Sequence, residues 1–481
     1  IILVVGIMLF VTSHLLSGTA LSAEHCIEPV GTLVSIEGSG EFQAYGQQNW
    51  QPVKLNDRFC AGDVLRVGPG GRAAVTLTNE TILRINQNSI LNFSAPEERV
   101  SVLELLKGML HIFSHRPRAL KVSTPYVNGT VEGTEFLVSA DDQQAEIIVF
   151  EGLVRAANAQ GSLDIASGQS VTASKGAAPH YSTVVNPRDA VQWTLYYPTI
   201  LALTVGSTET EADRLVSQAS AALQTGQVGV AREALDKALT ADPQNSNAMA
   251  LLAIIDVVQN RQDSALAKAQ KAIELAPESA AAGLALSYAQ QATFDVDGAR
   301  HTLLKTAEAN PNNVEVLARL AELQLAVGRF DQALAAIDQA AALTPDNARV
   351  QAVQGFVHLT RVEIEEAQAA FTRAIELDQA MPLARLGLGL SQIRKGQVAP
   401  GRVEIEIGAA LDTSNSLIRS YLGKAFFEER RDTLAGRHYQ IAKELDPADP
   451  SPWFYDALPK QTDNRPVEAL KDLQQSIALN D

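Results

Sequence analysis

The chain lacks an excess of positive charge. Its 39 Lys and Arg stand against 55 Asp and Glu, a formal net of −16 over 481 residues. Nucleic-acid binding needs clustered cations to neutralise phosphates, so this balance argues against a nucleic-acid partner. The acidity is spread along the chain and favours solubility. A Gly-rich phosphate loop followed by Lys-Ser/Thr is also missing, and Gly68-Pro69-Gly70-Gly71 reads as a turn. The eight histidines are scattered. His111 and His115 have the i,i+4 spacing that a helix turns into a metal pair. They flank Ile112-Phe113 in an alternating segment, however, and on a strand that spacing is roughly 13 Å, too far for one ion. No catalytic set, metal site or cofactor site is expected, and the chain reads as a non-enzyme.

Cysteine is nearly absent, with only Cys26 and Cys60. In an oxidising compartment the two are expected to pair, which would stabilise the fold by roughly 3–4 kcal/mol on a loop-entropy basis. The alternative is two unpaired thiols. Residues 1–16 form an apolar run, followed by small and polar residues through Ala23. Gly18/Ala20 and Ala20/Ser22 supply small-x-small spacings, so residues 1–23 read as a signal peptide. The run is short beside the ~20 residues of a spanning helix, and a retained N-terminal anchor is the alternative. No basic residue precedes it, so the natural sequence is expected to begin upstream of Ile1.

Against these absences stands one strong positive feature, a 34-residue period. Pro243, Pro277, Pro311, Pro345 and Pro447 keep that phase, while Gln379 and Thr413 fill the slots between. Twelve residues before each slot stand Ala231, Ala265, Ala299, Ala333, Ala367, Gly401, Ala435 and Ala469. Another twelve earlier the residue is again small, from Ala219 through Gly355, Gly389 and Gly423 to Ala457. Two apolar helices per period with small residues where they approach, and a proline to end the second, make a solenoid. Gly226, Gly328 and Gly396 sit where a left-handed cap would join the paired helices.

This pattern resembles the tetratricopeptide repeat, and Trp453 fills that family's first-helix tryptophan slot. Residues 211–481 are expected to hold eight repeats: 212–245, 246–279, 280–313, 314–347, 348–381, 382–415, 416–449 and 450–481. The resemblance implies a concave groove lined by the first helices. Its candidate partner-binding residues are Leu284, Tyr288, Phe356, Leu386, Leu390, Ile393, Phe427 and Phe454. Packing of these side chains within the array is the competing reading. The rows are too poor in cations for a carboxylate clamp, so the expected partner is a protein or an extended or helical peptide. The natural chain is expected to continue past Asp481, and that continuation is one expected occupant of the groove.

Residues 24–190 read differently, as short alternating segments split by turn residues. Residues 103–106 are ambiguous between a strand and one helical turn. Trp50, Cys60-Ala61-Gly62-Asp63-Val64-Leu65, Arg72-Ala73-Ala74-Val75, Gly133-Thr134-Glu135-Phe136, Phe150-Glu151-Gly152 and Gly168-Gln169-Ser170 resemble a FecR-type domain. That family implies a periplasmic β-domain. The expected fold is an all-β sandwich or roll followed by an all-α solenoid.

Residues 191–210 form the expected joint and linker. Trp193, Tyr196 and Tyr197 are expected to fix the β-domain against the first repeat, an exposed recognition strip being the alternative. Ser207 or Thr208 is the expected cap of the first repeat helix. The functional expectation is an exported scaffold, periplasmic or associated with the outer membrane and membrane-proximal without being integral. A periplasmic signalling regulator coupled to an outer-membrane protein is the alternative.

Overall fold

The computed structural model describes residues 28–97, 100–115, 117–184, 186–201 and 210–480. Strands β1 (Gly31–Glu37), β2 (Gly40–Gln43), β3 (Gln51–Pro52), β4 (Arg58–Phe59), β5 (Val64–Val67), β6 (Arg72–Leu77), β7 (Ile82–Ile85) and β8 (Ser89–Glu97) form the first half of a β-domain. Strands β9 (Val100–Phe113), β10 (Pro117–Ser123), β11 (Asn128–Ala140), β12 (Gln144–Asn158), β13 (Gly161–Ala166), β14 (Ser170–Ser174) and β15 (His180–Ser182) form the second. Residues 103–106 belong to β9 and are therefore strand.

Alternation decides which face is buried. Along β8, Ser89, Leu91 and Phe93 point inward, and the Phe93 ring stacks on Phe59 at 4.7 Å. The long strands bend so that each serves two neighbours. The first half of β9 pairs β8 and β10, and its second half pairs β7 and β11. The bend is at Gly108, whose φ of +102° and close approach to the Ser89 backbone leave no room for a Cβ. In the same way β12 pairs β14 with its first half and β13 with its second. The sheet thus rolls over a core of Leu, Ile, Val and Phe. Asp63 of the Cys60–Asp63 turn is a structural residue: its carboxylate accepts the Tyr45 and Cys60 N–H groups at 2.9 and 2.8 Å. Cys26 lies outside the described residues, and so does its pairing with Cys60.

Sixteen α-helices follow among the described residues. In antiparallel pairs they are α1 (Glu211–Gln224) and α2 (Val228–Ala241), α3 (Ser246–Val258) and α4 (Gln262–Leu275), α5 (Ala280–Ala292) and α6 (Val296–Ala309), α7 (Val314–Ala326) and α8 (Phe330–Leu343). The remaining pairs are α9 (Ala348–Thr360) and α10 (Ile364–Leu377), α11 (Pro382–Arg394) and α12 (Val398–Leu411), α13 (Ser416–Glu428) and α14 (Asp432–Leu445), α15 (Ser451–Thr462) and α16 (Pro466–Ala478). The small-residue slots are where paired helices touch. A Cβ on Gly389 would meet the Gly401 carbonyl at 2.5 Å, and a Cβ on Gly401 would meet that of Gly389 at the same distance. Each repeat proline follows the C-cap of a second helix, as Pro447 follows Asp446.

Two local signals set the repeat geometry. Asn245, Ser279, Asn313, Asn347 and Asn415 cap the first helices, each side chain accepting an N3 backbone N–H. Between the paired helices every repeat has one left-handed residue: Gly226, Asn260, Phe294, Gly328, Val362, Gly396, Arg430 and Asn464. The cap of α1 is Thr210, which forms a capping box with Asp213. It takes the role expected of Ser207 or Thr208, which lie outside the described residues. Thr210 has the required acidic residue three positions on.

First helices of successive repeats pack on one another, α3 on α5 and α13 on α15, whereas second helices scarcely meet. The array therefore curves with its first helices inside. The curve is tight enough for repeat 2 to reach repeats 6 and 7. Asn260 Nδ2 donates to the Ser414 and Leu445 carbonyls at 3.2 and 3.0 Å, and Ser414 Oγ donates to the Val258 carbonyl at 2.9 Å.

Candidate functional site

The curved array receives the β-domain and residues 191–200. A 3-10 turn, Pro187–Thr194, leads from the β-domain into an irregular segment over residues 195–200, extended at Leu195. Trp193, Tyr196 and Tyr197 are distributed among three apolar clusters. Trp193 packs with Leu137, Ile148 and Val191 against the β-domain. Tyr196 enters a cluster of Ala352, Ile375, Met381 and Ala384 in repeats 5 and 6. Tyr197 joins Leu195, Ile200 and the helices of the first repeats. The joint therefore holds the β-domain against both arms of the curve, where the sequence pointed to the first repeat alone.

Polar bonds fix each anchor. The Tyr196 hydroxyl donates to Asp378 Oδ2 at 2.9 Å, and burial followed by the Asp378 charge holds its pKa well above the ordinary phenol value. Gln259 Nε2 donates to Gln192 Oε1 at 2.9 Å. The hydroxyls of Thr194 and Thr413 lie 3.1 Å apart and buried. From the other side, Arg72 Nη1 of β6 donates to the carbonyls of Trp193 and Leu195, both at 2.8 Å. The β-domain thus holds the backbone and the Trp193 ring, while the array receives Thr194, Tyr196 and Tyr197.

A second seam joins β-domain and repeats directly. Val34, Ala74, Ile82 and Phe113 share one apolar cluster with Leu386, Ile405, Leu422 and Phe426. Arg385 Nη2 donates to the Val34 carbonyl at 2.5 Å, and Gln379 Oε1 accepts the Ile36 N–H at 2.9 Å. Arg419 meets Glu135 at 2.6 Å with both side chains buried, and Arg402 meets Glu80 at 3.1 Å. Arg437 meets Glu151 at 2.7 Å. Burial opposes charge on Glu135, yet Arg419 and the adjacent His111 outweigh it and hold the carboxyl well below its usual range. Burial pushes Glu406 up to about 8 and Glu151 up to about 7. His115 is 3.1 Å from Glu406, and burial followed by the Arg419 charge pushes it down to about 3.

The candidate groove residues fall into three states. Leu284 and Leu386, each 2% exposed, pack between helices. Tyr288, Phe356, Leu390, Ile393 and Phe427 are half-buried, and Phe454 is 48% exposed. Leu386, Leu390, Ile393 and Phe427 come together in the seam cluster with the β-domain. Phe356 lies edge-on to Phe371 at 4.9 Å. Tyr288 is stacked under the Arg319 guanidinium at 4.0 Å, with Arg349 at 5.7 Å. Phe454 lies edge-on to Tyr455 at 5.3 Å, at the margin of the seam cluster. Sequence reasoning missed Arg385, Arg419, Gln379 and Thr413. Their signal was departure from the repeat. Arg385 and Arg419 occupy the slot that Trp453 fills in the last repeat, and Gln379 and Thr413 occupy proline slots.

The family model for FecR protein matches residues 63–155, and models for the tetratricopeptide repeat match residues 216–280 and 292–355. The chain combines a FecR domain with tetratricopeptide repeats. No curated protein is significantly similar to it. Among solved structures, the chain is similar to the APC/C hetero-tetramer Cut9-Hcn1 at 19% identity and a TM-score of 0.43, over 56% of this chain and 52% of that one. It thus spans about half the length of that protein. YrrB, a TPR protein with an unusual peptide-binding site, matches at 19% identity and a TM-score of 0.26, over 37% of this chain and 91% of that one. A candidate anti-sigma factor from Parabacteroides distasonis matches at 17% identity and a TM-score of 0.25, over 28% of this chain and 67% of that one.

Both families are interaction or regulatory modules, and the repeats point to a protein or peptide partner. FecR domains are typically associated with the cell envelope. No described helix is long and apolar enough to cross a membrane.

Proposed function

We propose that the protein is an exported polypeptide-binding scaffold of the cell envelope, in the periplasm or at the outer membrane. In this reading residues 1–23 direct export, Cys26 and Cys60 pair in the oxidising compartment, and the eight repeats over residues 211–481 receive a protein or peptide. The FecR domain is the second docking module. The observation that carries the reading is the seating of residues 191–200 on the inner face of the array. The end of the 3-10 turn and the irregular stretch after it are held there by side-chain pockets and by bonds to carbonyls. A groove that recognises a peptide uses the same two kinds of contact.

A photo-crosslinking amino acid placed at Phe427 or Phe454 in the full chain tests it. The same group at Val230, exposed on a second helix, is the control. Crosslinks to a second polypeptide, distinct from any internal link between Phe427 and the β-domain, are expected at the two groove positions and not at Val230. Equal labelling at all three would end the reading.

The alternative is a periplasmic regulator that relays the state of an outer-membrane protein, and the FecR match over residues 63–155 favours it. It requires the β-domain to change its contacts when the repeats are engaged.

A further inference from the structure

We propose that residues 191–200 are a resident occupant of the cleft between the two domains, and that its partner is a segment of the same chemistry, a threonine closing a tight turn and followed after one residue by adjacent tyrosines. The inference rests on the polypeptide-binding reading and names the ligand and its regulation: the partner enters by replacing the joint.

Three observations carry it. The cleft has two walls that take different parts of the segment. The β-domain wall receives the Trp193 ring and holds backbone: Arg72 is 2% exposed and donates to the carbonyls of Trp193, within the 3-10 turn, and Leu195, just after it. The carbonyl contacts are independent of sequence and would serve any chain that takes this turn. On the array wall, Thr194, Tyr196 and Tyr197 each meet a different part of the array: Thr413, Asp378 and Gln259. These contacts read sequence.

The resident also leaves donors unused. Arg84, fully buried beside Arg72, gives Nη2 to the Thr194 carbonyl at 3.5 Å and holds Nη1 3.9 Å from Glu37, but its Nε has no hydrogen bond, and neither has the Trp193 Nε1 of the segment itself. A buried donor without an acceptor costs on the order of 1–3 kcal/mol, so an occupant offering an acceptor to Arg84 Nε gains on the resident. Finally, one of the residues that receive the segment has left the repeat pattern. Thr413 stands where five other repeats have proline at the same phase, and its hydroxyl is spent on Thr194.

A tethered segment competes at an effective concentration on the order of millimolar, so the wild-type chain should be nearly closed to free peptide. The test uses the full chain with Thr194→Cys and Thr413→Cys, in a background where Cys26 and Cys60 are serine. A fluorescein-labelled peptide spanning residues 188–201 is the probe, read by anisotropy with the engineered cysteines oxidised or reduced. The expected result is saturable binding in the reduced form and at least a tenfold loss on oxidation. A second variant, Tyr196→Phe with all other residues native, loses only the bond to Asp378 and should bind the peptide about tenfold more tightly than wild type. Equal binding in oxidised and reduced forms would overturn the proposal while leaving the array a polypeptide binder elsewhere. Absence of binding in the reduced form and in Tyr196→Phe, with helical circular dichroism retained, would also overturn it. The crosslinking at Phe427 and Phe454 would then judge the broader reading separately.

Discussion

Thr194 and Thr413 lie 219 residues apart in sequence, and their hydroxyls share a buried hydrogen bond of 3.1 Å. Thr194 also donates to the Val191 carbonyl at 2.7 Å, which fixes its hydroxyl proton and makes it the acceptor from Thr413. Replacing Thr413 with valine keeps the shape and removes the donor. The expected cost is about 1 kcal/mol in urea unfolding of the full chain. The double variant Thr194→Val, Thr413→Val should cost less than the sum of the singles, because one bond is lost once. Strict additivity would show that the pair is not coupled.

The left-handed residue between paired helices gives a contrast within one motif. Gly226 and Gly328 have nearly the same φ, +74° and +72°. A Cβ at Gly328 would meet nothing within 4 Å, whereas one at Gly226 would meet the Trp193 carbonyl at 2.4 Å. Alanine at Gly328 is therefore expected to cost about 1 kcal/mol, the backbone penalty alone. Alanine at Gly226 should cost clearly more, because it also pushes out the joint. Val362 presents the reverse case, a β-branched residue at φ +63° and 64% exposed. Glycine there is expected to stabilise by about 1 kcal/mol, read as a rise in urea midpoint.

These positions also show how far sequence carries. Repeat phase was legible because the same helix pair recurs, so proline and small residues accumulate at fixed slots. Left-handed turns were legible at Gly226, Gly328 and Gly396. They were hidden at Phe294, Val362 and Arg430, where neighbouring helix packing imposes a backbone that the residue itself disfavours. The docking of the β-domain could not be read from any period. Its contacts occur once each, between residues such as Val34 and Arg385 that lie 351 apart. The groove row shows the same limit: Leu284 and Phe454 share a register, yet the first is sealed and the second open. Curvature and the seated joint decide exposure, and neither is written into one repeat.

Arg419 and Glu135 form the most buried ion pair across the seam, with side-chain exposures of 0% and 9%. Arg419 also lies over the Phe113 ring at 4.4 Å. Arg419→Met retains much of the apolar contact but leaves the Glu135 carboxylate inside without its cation. The expected destabilisation is about 3–5 kcal/mol by urea. Adding Glu135→Gln removes the stranded charge and should restore more than half of that loss. A double variant no better than Arg419→Met would show that the arginine acts by packing and not by charge.

The buried acids and histidines of the same seam set opposite slopes of stability with pH. Glu406 has a folded value of about 8 and Glu151 about 7, both above the ordinary 4.5. Above pH 4.5 the unfolded chain releases protons that the folded chain retains, so stability falls as pH rises through 7 and 8. His115 has a folded value of about 3, below the ordinary 6.5. Below pH 6.5 the unfolded chain takes up a proton that the folded chain refuses, so stability falls again toward pH 3. Glu135, held low by Arg419, adds to that acid limb below its ordinary value of 4.5. Thermal unfolding of the full chain is therefore expected to peak at about pH 5 to 6 and to decline on both sides. Glu406→Gln removes the group with the larger upward shift, so the decline between pH 6 and 9 should become shallower while the acid limb keeps its slope. An unchanged alkaline limb in that variant would mean that Glu406 is ionised in the folded protein, paired with Arg402 and not protonated beside His115.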